Sequence, residues 1–301
     1  MLPRHNNDDP DSTNQAQPKK NSNPSGLTWS AVESAGSSET ILLLHGFSQG
    51  GWFWEPYLAQ MSELLKANVV AVDLPGHGRS PHLLVDAPTF SELLNEQFGP
   101  IHVVGYSMGA RLAMIHAAIH PESVKSLASI SGHPGIRDEQ ERKARVQSDA
   151  KISERLRRCE VVGNPQDTKL RFTEFLRWWI SQPIFGQIGE GESQLDLRLT
   201  NTPISLARVL ELFGTGVQVP VWDEIAQLSS PLLYMVGEMD VKYVAIGSEL
   251  TTLRLKNSNY PTLLEVVPST FHSVVSQSPD HAVRTIVRFI DQAIATSSSS
   301  N

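Results

Sequence analysis

The stretch IHVVGYSMGARLAM, residues 101–114, sets the tightest limit on the fold, because an apolar run and a helical pattern meet there at one serine held between two glycines. Ile101, His102, Val103 and Val104 are mostly β-branched and follow the breakers Gly99 and Pro100, so they predict a short buried strand. Beyond the serine, Leu112, Ile115 and Ala118 recur at three-residue spacing with Met108 and Met114 beside them, which predicts a largely buried helix. Ser107 therefore falls in a strand-to-helix turn. Gly105, Tyr106, Ser107, Met108 and Gly109 match G-x-S-x-G, the nucleophile elbow, in which a tight turn strains the serine and both glycines keep Cβ atoms out of its way. A turn serine that merely caps a helix is the competing account. The strand before and the helix after favour the elbow.

Further apolar runs flank this one, at 40–45, 68–73, 126–131, 231–237 and 262–268, with helical patterns between them. Such alternation predicts a mainly parallel sheet with helices on both faces, and active residues gathered past the carboxyl ends of the strands. No comparable strand appears between 131 and 231, where helical stretches at 138–158, 170–181 and 203–213 predict a cap laid over the site. The expected organisation is a core of residues 27–132 and 220–295, a helical cap of residues 133–219, and polar tails at 1–26 and 296–301, both read as disordered.

The chain has 301 residues, of which 40% are hydrophobic, enough for a sizeable core. A net charge of -7 argues against general nucleic-acid binding, and no apolar run is long enough for a membrane span. The single cysteine, Cys159, excludes an intrachain disulfide and fits a reducing compartment. Residues 1–26 lack an apolar h-region, so they do not read as a secretory signal, and a cytoplasmic location is expected. No metal or organic cofactor is implied, and the sequence leaves the oligomeric state open.

A serine hydroxyl becomes reactive when a histidine takes its proton, and that histidine needs a carboxylate to fix its tautomer. The elbow predicts the chain order Ser, acid, His. Asp240, in the loop GEMDVKY after the run 231–237, suits the acid, against a competing role as helix N-cap. Two histidines follow it. His281 opens a helix after SPD and is expected to face solvent, whereas His272 lies in the loop after TLLEVVP and is the better base. The oxyanion site needs two backbone N–H groups, for which Met108, directly after the serine, and Phe47, in HGF after the first strong run, are the candidates.

The set resembles an α/β-hydrolase and, more narrowly, the family of 2-succinyl-6-hydroxy-2,4-cyclohexadiene-1-carboxylate synthases of menaquinone biosynthesis. The narrower likeness rests on GYSMGARLAM, SGHPGI followed by ERKAR, RWWISQPIF and VGEMDVKYVAIGSEL, and covers most of residues 40–290. It implies a Ser107–His272–Asp240 triad that acts as a base without an acyl-enzyme, removing a ring proton and expelling pyruvate from an enolpyruvyl precursor. It also implies that Tyr106, Arg111, Arg145, Trp179 and Arg198 bind a small polyanionic carboxylate. Phe271 departs from the pattern, standing where many members have glycine before the histidine. The residues alone leave two other classes open: a carboxylesterase or carbon-carbon hydrolase with the same triad, and a small-molecule receptor on the same scaffold.

The arginines have an independent argument. Residues 134–219 hold 13 basic and 12 acidic side chains, against 12 and 20 in the rest of the chain, so cations concentrate in the expected cap. Arginine's planar fork suits carboxylates. The alternative for Arg145 is a solvated i,i+4 ion pair on a mixed-charge helix.

Overall fold

The structure, a computed structural model, describes residues 16–186 and 194–298. Its described residues form an eight-stranded sheet in the order β1-β2-β4-β3-β5-β6-β7-β8. The strands are β1 (Lys19–Ser22), β2 (Thr28–Val32), β3 (Thr40–Leu44), β4 (Asn68–Asp73), β5 (Ile101–Tyr106), β6 (Val124–Ile130), β7 (Leu232–Gly237) and β8 (Thr262–Val267). From β3 to β8 all neighbours are parallel, whereas β1–β2 and β2–β4 are antiparallel.

The central strands read as continuous apolar runs because both faces of a parallel sheet are covered. Along β3, Leu42 and Leu44 point into one core while Ile41 and Leu43 point into the other, the two-residue alternation of a pleated strand. The first core packs α2 (Ala87–Phe98) and α3 (Met108–Ile119) against the sheet; the second packs α1 (Glu55–Leu65) and the C-terminal helix Pro279–Ser298.

Between β6 and β7 the chain leaves the sheet for α4 (Glu139–Arg157), α5 (Pro165–Ile180), and the helices Leu195–Arg198, Pro203–Phe213 and Trp222–Gln227. α4 starts where the Asp138 carboxylate accepts the Glu141 N–H, and it carries Arg155 and Arg157 in its last turn, the charge order a helix dipole favours. Trp179 at the end of α5 meets Phe47, with ring centroids 5.1 Å apart, so the insertion reaches the loop after β3.

Both expected tails are corrected in part. Residues 1–15 and 299–301 lie outside the described residues, but Lys19–Ser22 is a strand and the C-terminal helix runs to Ser298. β1 has no apolar residue and is an edge strand, held by backbone pairing to β2 and not by burial. Its hairpin closes where Asn23 Oδ1 accepts the Leu27 N–H at 3.1 Å and Gly26 takes φ +87°.

Candidate active site

Ser107 stands between β5 and α3 at φ 52° and ψ −107°, a strained conformation for a side chain with a Cβ. The surroundings impose it. The Ser107 N–H donates to Ile130 O at 2.8 Å, and Ser107 O accepts the Arg111 N–H at 3.1 Å, so the residue is pinned to β6 on one side and to the first helical turn on the other. The flanking glycines are needed for close approach. A Cβ on Gly105 would lie 2.4 Å from Gly109 O, and one on Gly109 would lie 2.3 Å from Leu44 O.

Ser107 Oγ is 2.9 Å from His272 Nε2, and His272 Nδ1 is 2.6 Å from Asp240 Oδ2. A carboxylate only accepts, so Nδ1 carries the proton and Nε2 is left to accept from the serine hydroxyl. Asp240 stands at the N-cap position of the helix Val241–Asn257, yet its side chain makes no capping bond. Its carboxylate is turned to the histidine. Further contacts fix the imidazole: His272 O accepts from Ser131 Oγ at 3.0 Å, and the Tyr243 ring stands edge-on to it with centroids 4.6 Å apart. His281 pairs instead with Glu265 at 2.7 Å, away from this relay.

The loop His45–Gln49 is held by groups that leave the Phe47 amide aside. His45 Nδ1 donates to Gly46 O at 2.8 Å, its Nε2 accepts the Leu74 N–H at 3.0 Å, and the Gly46 N–H goes to Gln49 Oε1 at 2.8 Å. The Ser48 N–H goes to His77 Nε2 at 3.3 Å. Burial lowers the pKa of His45 and of His77 to about 3, so both rings are neutral and can accept these amides. Met108 is the first residue of α3, where a helix N–H has no intrahelical acceptor.

Phe47, Tyr106, Ser107, Trp179, Phe185 and Arg198 share the wall of a cavity of about 20 Å³, room for little more than a water. Tyr106 bonds Ser273 Oγ through its hydroxyl at 2.8 Å, and burial pushes its pKa up to about 12, so it stays a phenol. Arg198 is buried at 7% exposure and donates to Ser48 Oγ at 2.6 Å. Burial lowers its pKa to about 10, which leaves it cationic at neutral pH.

The other two arginines are placed differently. Arg111 is buried and donates to Gln218 Oε1 at 3.1 Å. It lines a larger cavity of about 580 Å³ beside α3, with Leu112, Ile115 and Phe213, whose wall includes none of Ser107, Asp240 and His272. Volume and chemistry thus part company, and the relay marks the candidate site. Arg145 has its side chain 37% exposed and pairs with Asp149 at 2.8 Å, the i,i+4 arrangement. Tyr106, Trp179 and Arg198, implied by the family resemblance, line one cavity with Ser107; Phe185, Gln49 and His77 are not singled out by the sequence, since local spacing carries no signal for them.

A model of the α/β hydrolase family matches residues 41–287. A protein of Enterobacter sp. (strain 638) named 2-succinyl-6-hydroxy-2,4-cyclohexadiene-1-carboxylate synthase is 32% identical over 247 residues, which is 79% of this chain and 86% of that protein. Among solved structures, the one described as MenH from S. aureus superposes with a TM-score of 0.72 at 21% identity, covering 88% of this chain and 98% of that one. A carboxylesterase from the thaumarchaeon Nitrososphaera gargenis gives 0.71 at 16% identity, over 92% and 100%.

Proposed function

Because the chain belongs to the α/β hydrolase family, and is an enzyme, we propose that it is a carbon-oxygen lyase eliminating pyruvate from 2-succinyl-5-enolpyruvyl-6-hydroxy-3-cyclohexene-1-carboxylate. The observation that carries this reading is the Ser107–His272–Asp240 relay beside a buried arginine. The named activity of the Enterobacter protein supports the choice among reactions such a relay can run.

The substrate's C2–H lies between a ring alkene and the succinyl ketone, so its loss gives an enolate. His272 Nε2 takes the Ser107 proton as Ser107 Oγ takes the C2 proton, and Asp240 stabilises the imidazolium. The ketone oxygen becomes negative, and the N–H groups of Phe47 and Met108 receive it. When the carbonyl re-forms, the electron pair makes C2=C3, the old alkene shifts to C4=C5, and the C5–O bond breaks. Enolpyruvate departs, takes a proton from water at carbon and becomes pyruvate, while His272 gives its proton to solvent and the relay resets; the ring is the 2,4-diene. Arg198 holds a carboxylate in this scheme, Tyr106 and Trp179 wall the ring, and the described residues of the inserted segment form the cap. Arg111 and Arg145, outside the Ser107 cavity, contribute positive charge from farther out.

Incubating the purified protein with the enolpyruvyl substrate and coupling pyruvate to lactate dehydrogenase tests the reading. Release that depends on Ser107 and leaves no covalent mass on it is expected. An accumulating adduct with the physiological substrate points to the esterase class instead, and no release at all refutes the lyase.

A further inference from the structure

Phe47 supplies its amide from a loop that is not at rest. The next residue, Ser48, has φ +63°, a left-handed value that is strained for a serine and persists only where neighbours over-determine it. The neighbours that do so come largely from the inserted segment between β6 and β7. Asn201, 4% exposed, follows the helix Leu195–Arg198. Its Nδ2 donates to Ser48 O at 3.1 Å, Gln49 O at 3.3 Å and Arg198 O at 3.0 Å, and its Oδ1 accepts the Gly78 N–H at 2.9 Å. Three carbonyls on one end and an amide N–H on the other leave no doubt which way the side-chain amide is turned.

We propose that Asn201 is a positioning residue for the oxyanion site: it clamps the loop carrying Phe47, on one side to the loop after β4 and on the other to the cap. It touches neither the serine nor the histidine. Its effect runs through the Ser48 and Gln49 carbonyls, which fix the peptide planes following Phe47. A further consequence is that the amide site is assembled only when the segment 195–201 is docked, so cap and oxyanion loop act as one unit. This deepens the proposed function and rests on it for the identity of the reaction, though not for the geometry.

The test compares Asn201→Ala and Asn201→Asp with wild type. Asp keeps size and the Gly78 acceptor but turns a carboxylate oxygen on the Ser48, Gln49 and Arg198 carbonyls, so it removes the clamp's donors while leaving its other end in place. Losing one oxyanion donor costs about 10²–10³ in kcat, and a displaced Phe47 amide should approach that, about 10²-fold for Asn201→Asp with KM within about twofold. Amide hydrogen exchange over residues 45–50 should speed up in both variants, while exchange in α1 and the C-terminal helix stays as in wild type. If Asn201→Ala does not fold, the isosteric Asn201→Asp decides. Unchanged kcat, or exchange in 45–50 identical to wild type, overturns the clamp, as does a loss confined to KM. If wild type releases no pyruvate, the lyase reading fails and the exchange comparison still decides the clamp.

Discussion

Replacing Ser107 by glycine and by alanine separates the chemistry of the elbow from its strain. Both variants lose the 2.9 Å bond to His272, so that term cancels between them. Alanine keeps a Cβ at φ 52°, ψ −107°, whereas glycine tolerates positive φ. The strain relieved by glycine is about 1–3 kcal/mol. Against it stands the extra chain entropy glycine loses on folding, about 0.5–1 kcal/mol. The net is about 1 kcal/mol in favour of glycine, equivalent to about 2 °C in Tm for a chain of this size. Differential scanning calorimetry of the two variants at neutral pH measures it. Ser107→Gly should melt above Ser107→Ala while both are equally inactive. A Tm for the alanine variant equal to or above that of glycine would mean that the elbow stores no strain at Ser107.

Ser107→Ala and His272→Ala should each lower pyruvate release by several powers of ten with the fold intact, and Asp240→Asn by about 10⁴; a loss under tenfold at Ser107 or His272 ends the triad assignment. Arg198→Met should raise KM for the polyanion by about 30-fold or more, whereas Arg145→Ala, whose guanidinium is part exposed and already paired with Asp149, should shift KM by about fivefold at most. Equal effects at the two positions would contradict their placement. Acid should destabilise the fold through His45 and His77, each held near pKa 3 against 6.5 unfolded. The unfolded chain binds more protons between those values, so the stability they contribute is complete above about pH 6.5 and declines as pH falls toward 3. In His77→Gln the slope of unfolding free energy between pH 6 and 4 should be shallower by up to about 1.4 kcal/mol per pH unit, as read from urea melts; an unchanged slope refutes the buried neutral ring.

The relay was legible because each member sits at a strand exit, and strand exits can be found from short apolar runs and the breakers that end them. Ser107 after β5, Asp240 after β7 and His272 after β8 need only chain order to be matched with their roles. The hairpin β1–β2 was not legible, since Lys19–Ser22 is polar and owes its structure to pairing with Thr28–Ala31. Helix spacing put Arg111 one turn past Ser107, but spacing does not say which cavity a long side chain enters, and the guanidinium goes to Gln218, 107 residues away. Asn201 carries no local signal at all. Its partners lie in loops 123 and more residues distant, apart from its own turn.

Phe271 shows how a departure from a family pattern is resolved by packing that no local window contains. A large ring before the histidine needs space, and the space is at Gly186, where a Cβ would come within 2.4 Å of Phe271 Cδ2. Gly186 also takes φ +66°, which a larger side chain resists on its own account. Bulk at 271 therefore depends on its absence at 186. It seats the turn Pro183–Phe185 on the histidine loop, where the His272 N–H donates to Ile184 O at 3.2 Å and Gln277 Nε2 donates to Phe185 O at 3.0 Å. The inserted segment thus grips the base-bearing loop through Ile184 and Phe185, and the oxyanion loop through Arg198 and Asn201. Substitutions in it should therefore reach both loops at once, so their expected effects do not rank by distance from Ser107 alone.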